Sequence, residues 1–559
     1  MRFEVPKYTM TYADTLRAVG LASLLEEITG KGVQVQDCGE RFLLDTSELP
    51  PFEQWPPISP GYPFIYLKAD GERPPGNVLD YEKEKKRADQ LKDFRRATGN
   101  KRDAVMRALA EQGLVEPPQP ATEYGMALFL ASMRKGWSSD KQLYLWLMED
   151  SERTSLWIAK NLGVVVSEEI DAPAVSNSQV FNPISGKGVH RSKPDSTTPG
   201  SISDKVLDPF AEWLKFRGAY RAMLPYRQDS DFKVFVIEPA DIRLSQLETL
   251  HRELLQRNLW GSIRLDIEAA LYLTQLLIQH SDVLGNSIAL HRRRPAEVIR
   301  GLHQAYFQSL GTAAALMNYS FATLPSWFPI NDRDDANAFI AVIREHIGDK
   351  QRDGVTGCLR SLREDRSGDV PVLQQYRKWL MTGNLMDFLE FCYRFALHLV
   401  GQWGQNEWAR AMTTIGLDTI TGRGYQMQDI TGTEGFNNIA MAIRSATVYA
   451  MASQQKKQSP RREVRFGLAQ KWKQKMKAGK EEFVAALCEF VQDYNWESEK
   501  MDKMDGGVPK HHKVKTQHLD EVIELIDKRG AELVGMLLLA YGYAKTAKAD
   551  SPDDNFQED

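Results

Sequence analysis

The first 240 residues alternate between helical and extended patterns. Apolar side chains recur at helical spacing between residues 11 and 28, and Gly30 follows them as a helix terminator. Residues 33–44 then alternate apolar with polar positions, which predicts a hairpin. LDPFAEWLKFRGAYRAM (207–223) has helical spacing, and FKVFVIEP (232–239) is a short apolar run that ends at proline. These patterns predict a mixed α/β N-terminal domain.

From about residue 241 onward, strand signals almost vanish and helical patterns dominate. Apolar residues at i, i+3, i+4 and i+7 mark three late helices, at Phe436, Ile439, Ala440 and Ile443, at Val484, Leu487, Cys488 and Val491, and at Leu519, Val522, Ile523 and Ile526. With segments near 372–402, they suffice for a bundle of four or more helices. We therefore expect an α+β fold, with an N-terminal domain over 1–370, a C-terminal helical bundle over 371–549 and an acidic tail over 550–559.

The composition is that of a folded protein of several domains. The 559 residues exceed one ordinary core, and 42% apolar with 26% charged residues is an ordinary globular composition. The 4 cysteines are far apart and form no CxxC pair, which argues against a disulfide framework and a cysteine zinc site. The N-terminal stretch, residues 1–16, lacks the apolar core of a signal peptide, and the most apolar window, 534–543, is too short to span a bilayer. We expect a soluble, cytoplasmic protein that does not bind membranes.

The sequence contains no familiar catalytic motif. GKG at 186–188 resembles part of a phosphate-binding loop, but a Walker A motif needs glycine where Phe181 stands and Ser or Thr directly after the lysine. HExxH, GxSxG and kinase signatures do not occur. Asp195, Asp231 and Lys233 resemble a metal-dependent nuclease pattern, although such a short pattern arises readily by chance. The alternative is a turn residue and a lysine on a strand surface.

The most one-sided charge lies in residues 456–480. Lys and Arg residues outnumber acids there by ten to one, and the single acid is Glu463. So much like charge favours a polyanionic partner. Trp472 and Phe466 can anchor this run to the bundle or stack on bases. A solvated charged face is the alternative, and a second stretch, 83–107, has ten basic against four acidic residues.

The sequence FNPISGKGVHRSKPD, residues 181–195, combines close backbone approach with positive charge. Gly186 and Gly188 let a partner approach the main chain closely. The positive charges come from Lys187, Arg191 and Lys193. Asn182 can hydrogen-bond a base edge. A flexible surface loop without a binding role is the alternative.

Two smaller clusters have more than one interpretation. His511 and His512 could bind a metal, but the neighbouring lysines make a basic loop the better interpretation. The arginines at 292–294 form a third basic cluster, which could equally serve a protein interface.

Three stretches of the chain resemble one known family. YTMTYADTLRAVGLASLLEEI (8–28) is similar to the family's N-terminal opening, VFNPISGKGVHRSK with LDPFAEWLKFRGAY (180–220) resembles its central block, and GFNNIAMAIRSATVYA (435–450) resembles its C-terminal helical domain. The family is the large subunit of type I CRISPR Cascade complexes, in the branch related to types I-A and I-B. The order of the parts matches throughout.

The resemblance implies a non-catalytic subunit that needs no cofactor and acts in antiviral defence. In the family, an α+β N-terminal domain contacts the protospacer-adjacent motif and helps to open the duplex. The C-terminal bundle corresponds to a small-subunit-like part that lines the path of the DNA strands, and the guide RNA supplies most of the sequence specificity. The implied partners are crRNA, target double-stranded DNA, a helicase-nuclease, and the backbone, crRNA-end-binding and small subunits of Cascade.

The matching positions give two sets of expected contacts. For DNA near the motif, they are Asn182, Lys187, Arg191 and Lys193. For single-stranded DNA or backbone, they are Arg444, Lys456, Lys457, Arg461, Arg462, Lys471 and Lys473. Relatives often also make a separate small subunit from an internal start, which here would be Met412 or Met427.

Three alternatives remain open from the sequence. The same subunit could serve a transposon-encoded Cascade that guides DNA insertion, with a transposition adaptor as partner. The chain could be a metal-dependent nuclease that uses Asp195 and Asp231. It could also be a helical protein–protein scaffold whose basic run is only a solvated face.

Overall fold

The chain folds into two compact units. The structure, a computed structural model, describes residues 1–67, 71–97, 99–133, 137–165, 170–183, 207–228, 230–257, 259, 261–309, 314–349, 355–455 and 462–546. Unit 1 comprises Met1–Asn258 and Glu297–Ala322, and unit 2 comprises Leu259–Ala296 and Thr323–Asp559. The expected division at residues 370 and 371 does not coincide with this one, because it lies inside unit 2.

Unit 1 mixes strands and helices, as expected for the α+β class. Its strands are β1 (Arg2–Pro6), β2 (Gln34–Asp37), β3 (Arg41–Asp45), β4 (Phe64–Tyr66), β5 (Val78–Asp80), β6 (Met223–Gln228), β7 (Asp231–Pro239), β8 (Asp241–Arg243), β9 (Ile299–Ser309) and β10 (Ala314–Thr323). Its helices are α1 (Tyr12–Thr29), α2 (Tyr81–Arg96), α3 (Asn100–Ala110), α4 (Tyr124–Met133), α5 (Trp137–Glu149), α6 (Ser151–Asn161), α7 (Pro209–Ala222) and α8 (Leu244–Leu255).

Two four-stranded sheets organise the described part of unit 1. The first has the order β1-β3-β2-β8, and Val35 of β2 lies opposite Leu44 of β3, with both side chains fully buried. This pairing confirms the hairpin expected after the first helix. The second sheet has the order β10-β9-β7-β6. Its strand β7 is an inner strand buried along most of its length, which explains the unbroken apolar run at Val234–Ile237.

Helices α1 and α7 cross at a very short distance. A Cβ atom on Gly20 would lie 1.8 Å from the carbonyl oxygen of Leu214, and one on Gly218 would lie 1.9 Å from that of Leu16. Only glycine at both positions permits this approach of the two backbones. The crossing joins two of the stretches that carry the family resemblance.

Both helices have well-defined ends. The side chain of Thr11 accepts a hydrogen bond from the Ala13 amide at the start of α1, and Gly30 ends that helix in the left-handed region with φ of 64°. The Asp208 side chain accepts from the Phe210 amide at the start of α7, where proline occupies the first turn. These caps confirm the boundaries that the sequence predicts.

Unit 2 is mainly helical. Its helices are α9 (Ile263–Gln279), α10 (Arg333–Ile347), α11 (Val370–Thr382), α12 (Leu385–Gly404), α13 (Thr414–Leu417), α14 (Gln428–Thr431), α15 (Glu434–Ala446), α16 (Val448–Gln455), α17 (Leu468–Ala478), α18 (Lys480–Met504), α19 (Thr516–Arg529) and α20 (Ala531–Gly542). The short strands β11 (Gly348–Asp349) and β12 (Val355–Thr356) pair, and Asp418–Gly424 forms a π-helical turn. The three late helices expected from apolar spacing are confirmed.

Helix α20 lies at the centre of the C-terminal bundle. Helices α12, α15, α17 and α19 pack on it, and its apolar residues on all sides are buried, including Leu537 and Leu538. A helix that is apolar all round is expected at the core of a large domain. Over the part of the chain that the structure describes, no helix combines the length and apolarity needed to cross a membrane.

The expectation of an almost purely helical chain after residue 241 is wrong for residues 299–323. These residues form β9 and most of β10, in the second sheet of unit 1. His303 and Gln304 are consecutive in β9, and both are buried. An inner strand covered on both faces has no alternation of apolar and polar residues, so the pattern that signals a strand is lost.

Candidate nucleic-acid interface

Distant acidic residues neutralise much of the basic run 456–480. Five of its described cations form ion pairs with other parts of the bundle, which join Arg462 to Glu497 (3.7 Å), Arg465 to Glu497 (2.8 Å), Lys471 to Glu489 (2.8 Å), Lys473 to Glu532 (3.2 Å) and Lys480 to Asp527 (2.5 Å). None of these acids lies within the run itself, where the sequence shows only Glu463. The described part of this surface therefore has far less free positive charge than the local count implies.

Arg462 belongs to the interior of the bundle more than to its surface. Its side chain is 10% exposed, and its guanidinium lies 4.0 Å from the centre of the Tyr494 ring. Nη2 donates to Oγ of Ser498 at 2.6 Å. Burial lowers the pKa of this arginine. These contacts attach the chain to α18, so they do not fit the expected grip on DNA.

Lys471 and Lys473 occupy different environments on α17. Lys471 is half exposed, and its hydrogen bond to the carboxylate of Glu489 holds the pKa of that acid below its ordinary value. Lys473 is 12% exposed and also lies 3.3 Å from the carboxylate of Glu390. A phosphate could compete for Lys471, whereas Lys473 joins α17 to α12 and α20.

Two lysines of α17 remain available to a partner. Lys475 and Lys477 are exposed, and neither forms a hydrogen bond or ion pair with the part of the chain that the structure describes. They lie in the last turn of the helix, where positive charge is favourable. Both lysines belong to the basic run, but they are not among the expected contacts, because a count of charges does not distinguish paired from unpaired lysines.

Arg444 does not fit its expected role in gripping single-stranded DNA. It is 4% exposed. Its Nε donates to the carbonyl oxygen of Ala544 at 2.8 Å, and its Nη2 donates to that of Tyr541 at 2.9 Å. Burial lowers the pKa of its guanidinium. The side chain caps the end of α20 from inside the bundle, where DNA has no access to it.

Asn182 likewise occupies the interior of unit 1 and does not fit the expected contact with a base edge. It is fully buried. Its Oδ1 accepts from Nζ of Lys215 at 2.6 Å, and its Nδ2 donates to the carboxylate of Glu212 at 3.3 Å. Lys215 and Glu212 are themselves paired at 2.6 Å. The amide thus completes a buried polar cluster, which such groups require inside a protein.

This cluster fixes the point from which the chain enters residues 184–206. Val180 and Phe181 are buried beside Asn182, and Glu212 and Lys215 belong to the first half of α7. The chain returns at Asp208, the N-cap of the same helix. Both ends of the segment 184–206 are therefore attached near the start of α7.

Six of the expected contact residues lie outside the described residues. They are Lys187, Arg191 and Lys193 in the segment 184–206, and Lys456, Lys457 and Arg461 in the basic run. Their expected contacts stay predictions.

Helices α2 and α3 carry exposed cations that the expected contact set omitted. Lys83, Lys86, Lys92, Lys101 and Arg107 are exposed and form no ion pair with any described residue. Exposed acids on the same helices reduce the surplus. The excess of positive charge in residues 83–107 was the signal available in the sequence, and the structure adds that these cations have no ion-pair partner among the described residues.

The nuclease interpretation finds little support around Asp231. Its carboxylate accepts from the Tyr306 hydroxyl and from the Ser309 amide at 2.9 Å, and these hydrogen bonds lower its pKa. Lys233 is 8% exposed, so it is not on a strand surface as expected. Asp195 lies outside the described residues. Within the described chain, no group of three or more metal-binding side chains is assembled.

A buried polar network beside α1 resembles a catalytic relay but serves packing. The Tyr319 hydroxyl lies 2.6 Å from Nδ1 of His303, whose Nε2 contacts the Glu238 carboxylate. Burial raises the pKa of Glu238, but the hydrogen bond from His303 and the charge of Lys7 outweigh it and lower the pKa to about 2. The Tyr319 hydroxyl also accepts from the Tyr12 amide. The polar atoms of this network thus join α1 to the second sheet.

His511 and His512 belong to a loop that is pinned to α18. The His512 ring lies between the Asn438 side chain (2.9 Å) and the Tyr494 hydroxyl (3.1 Å), and burial lowers its pKa. The carboxylate of Asp502 accepts from the His511 amide at 3.0 Å. This arrangement agrees with the expected basic loop and gives no support to a metal site.

Unit 1 also has a cleft of about 730 Å³ between α1, α7 and α8. Its cations are matched by its acids, since Arg217 pairs with Glu27 (2.7 Å) and Arg221 with Glu248 (2.7 Å). The cleft therefore has no evident surplus of positive charge for a polyanion.

Comparison with known proteins does not add a family to these observations. No protein-family model matches the sequence, and no curated protein matches it at a significant level. The candidate interface is therefore judged on its own geometry and charge.

Proposed function

We propose that the chain is the non-catalytic large subunit of a crRNA-guided type I Cascade complex. It recognises the protospacer-adjacent motif and stabilises the opened target DNA. The observation that carries this proposal is the attachment of the segment 184–206 near the start of α7. The segment contains three of the expected DNA contacts, and a rigid base limits the entropy lost when such a segment binds.

Two further observations support the proposal. The stretches that resemble the family's N-terminal and central blocks include α1 and α7, which pack through Gly20 and Gly218. Helices α2, α3 and α17 carry exposed cations that pair with no residue in the described part of the chain, as required for contacts with phosphate groups. The same subunit in a transposon-encoded Cascade needs the same surfaces, and transposase genes beside this gene would favour that version.

Co-purification with the products of neighbouring genes tests the proposal. We expect a short RNA to be recovered with the tagged chain, and the complex to bind duplex DNA that matches the guide and carries the adjacent motif. Substituting Lys187, Arg191 and Lys193 together by alanine should weaken that binding without preventing assembly. Absence of a short RNA from an intact complex would contradict the proposal.

A helical protein–protein scaffold is the second candidate. The internal ion pairs of Arg465, Lys471 and Lys473 favour it, because they reduce the charge available to DNA. Salt dependence separates the two functions. Phosphate contacts weaken steeply as salt rises, so absent or salt-insensitive DNA binding would favour the scaffold.

A further inference from the structure

The turn at residues 291–294 presents a histidine and three consecutive arginines in unit 2. Arg292 is exposed and has φ of 60°, in the left-handed region. This conformation brings Cβ close to the following carbonyl oxygen, so glycine and asparagine occupy it far more readily than arginine. An arginine here is therefore unfavourable for the local backbone.

The surrounding chain imposes this conformation. Oδ1 of Asp282 accepts from the amides of Leu290 (2.9 Å) and His291 (3.1 Å). The Arg292 amide donates to the carbonyl oxygen of Ile330 at 2.7 Å, and the Ile330 amide donates to that of Arg293 at 2.9 Å. These backbone hydrogen bonds hold the turn without using the Arg292 side chain.

The neighbouring arginines support the turn, whereas Arg292 does not. Nη1 of Arg293 donates to the carbonyl oxygen of Ala289 at 3.2 Å, and Nη1 of Arg294 donates to that of Ser326 at 3.0 Å. The guanidinium of Arg292 makes no hydrogen bond or ion pair with any part of the chain that the structure describes. Its charge thus stands on a rigid base and has no partner there.

We propose that Arg292 binds a phosphate group of a nucleic-acid backbone. The inference rests on the proposed function and extends its DNA- or RNA-binding surface to the turn 291–294. A guanidinium matches the oxygens of phosphate in a two-pronged hydrogen bond, and the fixed turn needs no further ordering of its backbone on binding. The carboxylate of Asp282 accepts from backbone amides of the turn and forms no ion pair with Arg292.

Replacing Arg292 by glycine separates binding from folding. Glycine accepts the left-handed conformation, so R292G in the full-length chain should melt at the wild-type temperature or above it. Loss of one phosphate contact should weaken binding about five-fold at about 0.15 M salt and reduce the slope of log affinity against log salt by about 0.9. The probes are a labelled DNA duplex, one of its strands alone, and an RNA of the same sequence, and their comparison identifies which backbone is bound.

Two variants serve as matched controls. Asn406 is exposed, lies in the same unit and has φ of 56°, so N406G relaxes the same backbone conformation without removing charge. Arg529 is an exposed arginine that already pairs with Asp429, so R529Q makes the same change in net charge elsewhere. Both controls should bind the probes as the wild type does. R292K should retain more binding than R292G.

The outcomes are distinct from those of the test of the proposed function. If R292G binds every probe with wild-type affinity and salt slope, the inference is overturned, while recovery of a short RNA still supports the proposed function. Failure of the wild-type chain to bind any probe would also overturn it. If R292G instead loses binding only to an acidic polypeptide such as polyglutamate, the turn recognises protein and the inference is wrong.

Discussion

Arg444 supplies hydrogen-bond donors to the end of a buried helix. The last carbonyl groups of a helix have no helical partners, and this guanidinium donates to one of them, at Tyr541 of α20, and to the carbonyl of Ala544 just beyond the helix. The positive charge also faces the negative end of the helix dipole. A buried arginine in this position stabilises the bundle, which explains why a cation within a resembling stretch is not a DNA contact.

We predict that R444M destabilises unit 2 without a direct effect on nucleic-acid binding. Removal of the guanidinium deletes two buried hydrogen bonds, to the carbonyl oxygens of Ala544 and Tyr541, which costs about 2–4 kcal/mol of unfolding free energy. Urea unfolding measures this loss, and titration of the folded variant with DNA measures binding. Wild-type stability combined with weaker binding would show that Arg444 contacts DNA after all.

His251 is a buried histidine that remains neutral in the folded chain. It is 7% exposed, and its Nε2 donates to the carbonyl oxygen of Met223 at 2.8 Å. Burial lowers its pKa to about 4, from an ordinary value of about 6.5. Between these two values, the unfolded chain binds a proton that the folded chain does not. Stability is therefore complete above the ordinary pKa and falls as the pH drops toward 4.

We predict that His251 alone reduces the unfolding free energy by about 3 kcal/mol between pH 6.5 and pH 4. H251Q keeps a donor for the Met223 carbonyl but cannot titrate, so its stability should fall less over this range. Unfolding curves of both proteins at several pH values measure the difference. Curves that stay parallel down to pH 4 would contradict this pKa.

Helix α17 has one side that holds the bundle together and an end that is open to solvent. Trp472 is fully buried, and Lys473 bridges the carboxylates of Glu390 and Glu532. Lys475 and Lys477 are exposed and form no ion pair with any described residue. The basic run therefore combines structural cations with available ones, and only the available ones are expected to increase the affinity for a polyanion.

We predict that K475E/K477E weakens nucleic-acid binding and lowers the unfolding free energy only slightly, by about 1–2 kcal/mol, because acids are unfavourable in the last turn of a helix. Loss of two phosphate contacts should reduce the salt slope by about 2. K503E/K528E is the matched control, because it makes the same change in net charge at exposed lysines that pair within their own helices. An equal effect of both double variants would show that only overall charge matters.

Helices and strands that bury one face were predictable from the sequence. Strand β9, which is buried on both faces, was not. Helices α15, α18 and α19 have a single apolar stripe, whose spacing identifies them. Strand β9 is covered on both faces, so His303 and Gln304 interrupt its apolar pattern. Burial of both faces of a strand depends on packing against residues that are distant in the sequence, and a short stretch of sequence does not show this packing.

For the candidate site, the sequence predicted the excess of basic residues but not which of them form ion pairs within the chain. The acids that neutralise Lys471 and Lys473 lie on α12, α18 and α20, outside any window around the run. An asparagine such as Asn182 is chemically able to hydrogen-bond a base. Its amide instead hydrogen-bonds Glu212 and Lys215, which lie 30 and 33 residues away in the sequence. Polar residues in a motif have the same sequence signature whether they bind a ligand or each other.

At the scale of the whole molecule, the candidate contacts are distributed over both units. Unit 1 contains the base of the segment 184–206 and the cations of α2 and α3, and unit 2 contains Lys475, Lys477 and the turn 291–294. Variants in one unit leave the contacts of the other intact, so the contributions can be measured separately. Well-separated sites should add in free energy.

The structure distinguishes between the two possible internal starts of a small subunit. Residues 412–426 connect to the end of the chain, because the Lys545 amide donates to the carbonyl oxygen of Met412 at 2.7 Å. They also contain Asp418 and Thr421, which hydrogen-bond the hydroxyl of Tyr541 on α20 at 2.6 and 2.8 Å. A fragment that begins at Met427 lacks all of these partners.

We therefore predict that a fragment from Met412 is more stable than one from Met427, by about 3 kcal/mol or more. A buried tyrosine hydroxyl that loses a carboxylate partner accounts for much of this difference, and the missing burial of the Leu417 and Ile420 side chains adds to it. Both fragments lack α12, so the comparison isolates residues 412–426. Thermal unfolding of the two purified fragments measures the difference, and equal melting temperatures would remove the structural reason to prefer Met412.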